Sequence, residues 1–347
     1  VRDAGTLERI AQLAIPPAWS DVWICPWSNG HLQAVGTDAA GRRQYRYHEE
    51  WRRRRDAEKF DRMLEFARAL PALRSTVSAH LATGGPGRER VLAGAVRLID
   101  VGLFRVGGEE YAEEHETYGV ATLLREHVRI ARDGSICFDY AAKGGKERRL
   151  ALRDAELEPL LRCLKRRRGG GDELLAWREG PSWHDVRSGD VNDYLKEHAG
   201  GEFSAKDFRT WSATVLAAAE LAATAAAAAA SPRGRRARQV SGAAGPSPSA
   251  QRRAVLAAMR AVAEQLGNTP AVCRSSYVDP RIVEHYRRGE TLRLDDCHAT
   301  PAGVTAALAE GQATDPWEAR RRLEQLTLDL LGDAAAEALA EHGRPAA

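Results

Sequence analysis

"LGNTPAVCRSSYVDPRIVEHY", Leu266 to Tyr286, is dense in punctuation. Gly267 reads as the stop of one helix, and Thr269-Pro270 as the cap and first position of the next. Tyr277 then falls in a polar run, Arg274-Ser275-Ser276-Tyr277, and not in an apolar stripe. Two readings stay open on these residues alone. A tyrosine near a helix end is usually core. Alternatively its hydroxyl is the purpose of the segment, in which case it needs help. A phenol with a pKa of about 10 is a poor nucleophile at neutral pH unless cations or hydrogen bonds assist it.

Candidate helpers lie elsewhere in the chain. In "SAKDFRTW", Ser204 with Asp207 three residues later reads as a capping box. Arg209 is thereby placed in the first turns of a helix, where anions are favoured. In "LIDVGLFRVGGEEY" an apolar helix is expected to end near Gly102, with Arg105 just ahead of Gly107-Gly108. "VATLLREHVRIARDGSICFDYAAKGGKERRLAL" reads as three strands, with turns at Asp133-Gly134 and Ala142 to Lys146. Lys143, one of only six lysines, rides on the second turn. Each signal has a bland reading. An arginine after a helix is usually an ion-pair partner, a lysine in "KGGK" a solvated turn residue, and Asn268 a helix cap.

The chain has 347 residues, enough for two domains. No apolar run approaches the ~20 residues of a membrane helix, and no signal-peptide pattern opens the chain. A start at Val1 reads as a fragment with structure missing upstream. The five scattered cysteines contain no C-x-x-C pair, which argues against a zinc site or disulfide framework and for a reducing compartment. The net charge is only +3, but basic residues cluster at Arg52 to Arg55, Lys165 to Arg168 and Arg233 to Arg238. That pattern fits nucleic-acid binding, although any single run also reads as a solvated helix face. Residues 1–55 read as β-rich, from the alternation in "SDVWICP", "HLQAVGTD" and "RRQYRYH". A helix with Phe60, Met63, Leu64, Ala67 and Leu70 on one face opens the region 56–347, which is otherwise expected to be helical apart from the three strands. Ala222 to Gln251 begins as an alanine extension of a helix and becomes a Ser/Pro/Gly/Arg linker. The span of about 223–250 is expected to be a disordered insert.

Taken in order, "FRVGGEEYAEEHETYGVATL", "DYAAKGGKERRL", "KDFRTWSATVLA" and "GNTPAVCRSSYVDP" closely resemble the type IB DNA topoisomerases, in particular their bacterial, poxvirus-like branch. "IPPAWSDVWICP" and "GHLQAVGTDAAGRRQYRYH" resemble the amino-terminal domain of the same family. The resemblance implies an α+β fold: a small β-rich amino-terminal domain, here short of its upstream strands, and a larger mainly helical catalytic domain with a small three-stranded sheet. Together these would close on duplex DNA as a C-shaped clamp. It further implies Tyr277 as nucleophile, Arg105 and Arg209 as the arginines on the scissile phosphate, and Lys143 as general acid. Asn268 falls where other branches of the family carry a histidine, nine residues before the tyrosine. An amide there supplies a hydrogen bond but no titratable charge. Gln44, Tyr45, Tyr47 and Tyr111 fall on DNA-contacting positions.

The implied activity is relaxation of supercoiled DNA through a 3′-phosphotyrosyl intermediate, strand rotation and religation. Arginines would do the electrostatic work that Mg²⁺ does elsewhere, so no metal, ATP or small-molecule cofactor is expected. The implied partner is double-stranded DNA and no membrane, for a monomer in the cytoplasm, associated with the nucleoid. The alternative enzyme is a tyrosine recombinase or integrase, which uses the same residue logic; the front end argues against it. The non-enzyme alternative is a basic DNA-binding protein with a structural Tyr277.

Overall fold

A computed structural model of the chain describes residues 3–109, 112, 116–230, 247–294 and 316–342. It divides into two compact units, Val1–Arg62 and Met63–Ala347. The division falls inside one helix, Glu49–Leu81. The helix therefore begins earlier than the boundary at residue 55/56 expected from the change of hydrophobic period.

In the first unit, β1 (Ser20–Ile24), β2 (Leu32–Thr37) and β3 (Arg43–Tyr47) form an antiparallel meander in the order β1-β2-β3. The central strand is the buried one, through Gln33, Ala34 and Val35. A helix the sequence reading had not identified, Ala4–Gln12, is capped by Asp3, whose carboxylate accepts the Thr6 N–H at 2.8 Å. Arg9 ties this helix to the sheet by donating to Gln33 Oε1 at 2.9 Å and to the Cys25 carbonyl at 2.7 Å. The turn after β2 is closed by Asp38, which accepts from the backbone of Ala40 and Arg42.

In the second unit the helix Ala205–Ala230 is the centre. It packs on the helices Arg88–Gly102, Ser188–His198, Pro248–Leu266, Pro280–Arg288 and Pro316–His342. Its alanines explain how: Ala213, Ala217, Ala218 and Ala219 are all buried, and small side chains let neighbouring helices approach. This helix also corrects the expectation that no segment is long enough for a membrane. By length and composition Ala205–Ala230 passes that test. However, most of it from Ala205 to Ala222 is buried inside the protein, with Asp207 and Arg209 among the buried residues.

β4 (Val128–Ile130), β5 (Ile136–Ala142) and β6 (Lys146–Leu152) form the antiparallel sheet read from the sequence, in the order β4-β5-β6. Its inner face packs Phe138 and Tyr140 on Phe104, just beyond the helix Arg88–Gly102. A second hairpin, β7 (Ala176–Glu179) with β8 (Ser182–Asp185), corrects the expectation that the rest of the unit is helical. It was missed because strands of four residues are too short to show a period. The insert needs correction at both edges. Residues 223–230 continue the central helix, and Ser247 caps the next one, its hydroxyl accepting the Ala250 N–H at 3.3 Å. The remainder of that span lies outside the described residues.

Candidate active site

Four elements of the second unit converge on one pocket, a cavity of about 260 Å³ whose lining includes Arg105, Lys143, Lys206, Arg209 and Tyr277. Tyr277 arrives at the junction of two short helices. The first, Pro270–Ser276, is capped by Thr269, whose hydroxyl accepts the Val272 N–H at 3.3 Å. The second, Pro280–Arg288, is capped by fully buried Asp279, which accepts the Arg281 N–H at 2.9 Å and pairs with its guanidinium. Between the caps the backbone of Tyr277 and Val278 turns on a single carbonyl, that of Cys273, at 3.0 and 2.9 Å. Thr214, fully buried on the central helix, accepts the Asp279 N–H at 3.1 Å and lies 3.3 Å from the Tyr277 carbonyl. The tyrosine is thus half-buried on a segment held from both sides. It is neither a core aromatic nor a loose surface one.

Arg209 follows from one half of the expected capping box; the Asp207 N–H goes to the Ser204 carbonyl and not to its hydroxyl. Asp207 accepts both the N–H and the hydroxyl of Ser204, at 2.8 and 2.9 Å, so the helix starts at Ala205 with Arg209 a turn later. Its guanidinium is buried, donates to the Leu103 and Leu266 carbonyls, and sits 5.6 Å from the centre of the Tyr277 ring. The Leu103 carbonyl belongs to the left-handed cap of the helix Arg88–Gly102 (φ 52°), two residues before Arg105. Arg209 therefore fixes the segment that presents Arg105. Arg105 in turn donates to Asn268 Oδ1 at 2.5 Å. Asn268 directly follows Gly267, the left-handed cap of the helix Pro248–Leu266. Lys143 is exposed at the tip of the β5–β6 hairpin, followed by Gly144 (φ 80°) and Gly145 (φ 70°), a turn that glycine alone takes without strain.

The electrostatics are those of a cationic cage around a phenol. Burial pushes the Tyr277 hydroxyl up. The Arg209 and Arg105 charges, a hydrogen bond from Arg209 and the charge of Lys206 outweigh it and hold the pKa below the ordinary tyrosine value. Burial, with Arg105 adding repulsion, pulls Arg209 down to about 10. Among the described residues no group of three or more His, Cys, Asp or Glu is placed to hold a metal ion.

Three residues that line the pocket or hold its segments in place had not been singled out. Lys206 is one of the six lysines and lies in the quoted "SAKDFRTW", so its rarity was an available signal. Thr214 had none, because its role depends on a partner 63 residues away. Gly119 is decided by a backbone crossing. Val120 and Ala121 donate to the Arg105 and Val106 carbonyls at 2.9 and 2.7 Å, which presses Gly119 against Gly107 (φ 85°). A methyl group on Gly119 would lie 2.4 Å from the Gly107 nitrogen. Gly119→Ala is accordingly expected to force the Arg105 segment away and to destabilise the protein by about 1–3 kcal/mol or more, read as a lowered denaturation midpoint.

The residues expected to contact DNA from the amino-terminal region lie in the other unit. Period-two alternation puts Tyr45 and Tyr47 on one face of β3 and Gln44 on the other. Tyr45 is 50% exposed. Tyr47 stacks on Trp51, with ring centres 4.5 Å apart. Gln44 donates to Asp38 Oδ2 at 2.9 Å. Tyr111 lies outside the described residues.

Residues 48–291, well over half of the chain, match the family described as "Eukaryotic DNA topoisomerase I, catalytic core". Residues 1–38 match "Bacterial DNA topoisomerase IB, N-terminal domain". The chain is similar to a DNA topoisomerase 1B of Acanthamoeba polyphaga mimivirus, 28% identical over 85% of this chain and 84% of that protein. It is also similar to DNA topoisomerase 1 of Mycosarcoma maydis, 26% identical over 58% of this chain and 22% of that protein. A third relative is DNA topoisomerase 1 of Daucus carota, 26% identical over 46% of this chain and 19% of that protein. With a family match across the segment that carries Arg105, Lys143, Arg209, Asn268 and Tyr277, the chain belongs to the type IB DNA topoisomerases.

Proposed function

We propose that this protein relaxes supercoiled duplex DNA by transient cleavage of one strand, with Tyr277 as the nucleophile. The observation that carries the reading is a half-buried tyrosine hydroxyl caged by two guanidiniums and a lysine at the floor of an open pocket. In the reaction the Tyr277 hydroxyl gives its proton to water and its oxygen attacks a backbone phosphorus. A tyrosyl O–P bond forms at the 3′ side, the P–O5′ bond breaks, and the 5′ oxygen leaves with a proton from Lys143. Arg105 and Arg209 take the non-bridging oxygens, where negative charge builds as phosphorus becomes five-coordinate. Arg105 exchanges the Asn268 carbonyl for the phosphate, and the Asn268 amide, released, donates a neutral hydrogen bond of its own. One phosphoester replaces another of similar energy. The reverse attack by the 5′ hydroxyl therefore reseals the strand without ATP once it has rotated.

The test is relaxation of positively and negatively supercoiled plasmid in EDTA without ATP, by a protein that sediments as a monomer. Protein is expected on the 3′ end of the trapped break. A requirement for two specific sites, with joining of separate duplexes and no relaxation, would favour a tyrosine recombinase.

A further inference from the structure

Elsewhere in the second unit, four charged side chains form a closed ring. Arg74 grips Asp100 through two hydrogen bonds, at 2.8 and 3.0 Å, and Glu324 through two more, at 2.6 and 2.9 Å. Arg320 donates to Glu324 at 2.9 Å and to Asp100 at 2.7 Å. Asp100, Arg320 and Glu324 are all buried. Burial pushes the Asp100 carboxyl up, but the charges of Arg320 and Arg74 outweigh it and hold it at about 2.

The ring joins places that matter to the pocket. Asp100 stands in the last turn of the helix that ends at Gly102, five residues before Arg105. Arg320 holds its carboxylate and also its backbone carbonyl, the latter at 2.8 Å. The same guanidinium lies 3.5 Å from the Ser212 hydroxyl, three residues after Arg209 on the central helix. Arg320 and Glu324 both come from the helix Pro316–His342, which lies beyond the tyrosine in sequence and packs on the central helix of its own chain.

We infer that Arg320, clamped by Glu324, is a positioning residue that sets the spacing of Arg105 and Arg209, so that the carboxy-terminal helix is part of the phosphate-binding apparatus without touching DNA. A purely stabilising ring has no need to reach both arginine-bearing segments through one guanidinium. Here a single side chain bonds the end of one segment and the flank of the other. The inference rests on the reading of Arg105 and Arg209 as phosphate ligands, and the experiment separates the two.

Single-turnover cleavage at saturating DNA is measured across pH for the parent protein and for Glu324→Gln, Arg320→Lys, Arg320→Met, Gln325→Ala and Arg105→Ala. Glu324→Gln and Arg320→Met are expected to slow cleavage at least tenfold and to move the rising limb of the pH profile upward. The charged groups that share the pocket with the Tyr277 hydroxyl are Arg105, Arg209, Lys206 and Lys143, and displaced guanidiniums favour the phenolate less. Arg320→Lys, which keeps the charge, should recover part of the rate. Gln325→Ala, on the same helix but bonded, among the described residues, only to exposed Asp329, should leave rate and profile unchanged. Should Arg320→Met fail to fold, Glu324→Gln carries the test, because it keeps the shape of the ring and removes only a charge. A lowered melting temperature with unchanged rate and pH profile below that temperature would overturn the inference and leave the ring as a stabiliser. Full cleavage by Arg105→Ala would instead overturn the underlying reading of the pocket.

Discussion

Tyr277→Phe is expected to bind duplex DNA as the parent does and to form no covalent adduct at all. The substitution keeps the ring beside the Arg209 guanidinium and leaves the Cys273 and Thr214 contacts with the backbone intact, so only the oxygen is lost. Denaturing gels with end-labelled duplex read the outcome. A persisting adduct would sink the assignment. The next tyrosine in sequence, Tyr286, is a poor substitute, because it is buried and burial raises its pKa. The same phenol offers a pH test. The Arg209 and Arg105 charges lower its pKa against the opposing pull of burial. Removing a cation destabilises the phenolate, so Arg105→Ala should raise that pKa. Tyrosine labelled with ¹³C at the ζ carbon and titrated in the free protein reads the shift, with Tyr277→Phe assigning the resonance. A downward or absent shift would contradict the caged-phenol electrostatics.

Lys143→Ala is expected to slow cleavage by about 10²–10⁴, the usual contribution of a positioned general acid. On a substrate whose 5′-bridging oxygen is replaced by sulfur, the leaving thiolate needs no proton, and the variant should cleave at nearly the parental rate. Lys143 suits this role because it is exposed at the tip of a glycine turn and yet lines the pocket. Lys146, three residues on, is not among the residues lining it. An absence of rescue would move the proton donor elsewhere, first to Lys206, which shares the cavity.

Much of the local structure was legible because it depends on neighbours in sequence. The half capping box at Ser204 and Asp207, the stop at Gly267, the cap at Thr269-Pro270 and the hairpin turn around Lys143 each follow from side chains within about four residues of the backbone they satisfy. Those signals placed the sheet β4-β5-β6, the start of the helix that carries Arg209 and the helix ends beside Asn268. The short hairpin β7–β8 was not legible, since two strands of four residues carry no more periodicity than a loop. Nor was the burial of Ala205–Ala230, whose composition alone suits a membrane as well as a core. Only the helices packed around it decide the matter.

The candidate site divides in the same way. By itself the sequence determined which residue types were available, and in what order: two arginines, a lysine, an amide and a tyrosine, each at the edge of a recognisable element. Their convergence is a tertiary fact. Arg209 reaches the Leu103 carbonyl 106 residues away, Arg105 reaches Asn268 at a separation of 163, and Arg320 reaches Asp100 at 220. No periodicity encodes such contacts, because they depend on how helices pack and not on the conformation of any one of them. The same packing turned an ordinary glycine, Gly119, into a backbone crossing, and an ordinary threonine, Thr214, into the clasp of the Tyr277 turn. Chain-local hydrogen bonding determined the elements. The distances between their ends, which decide whether a phenol and two guanidiniums share one cavity, belong to the packed core alone.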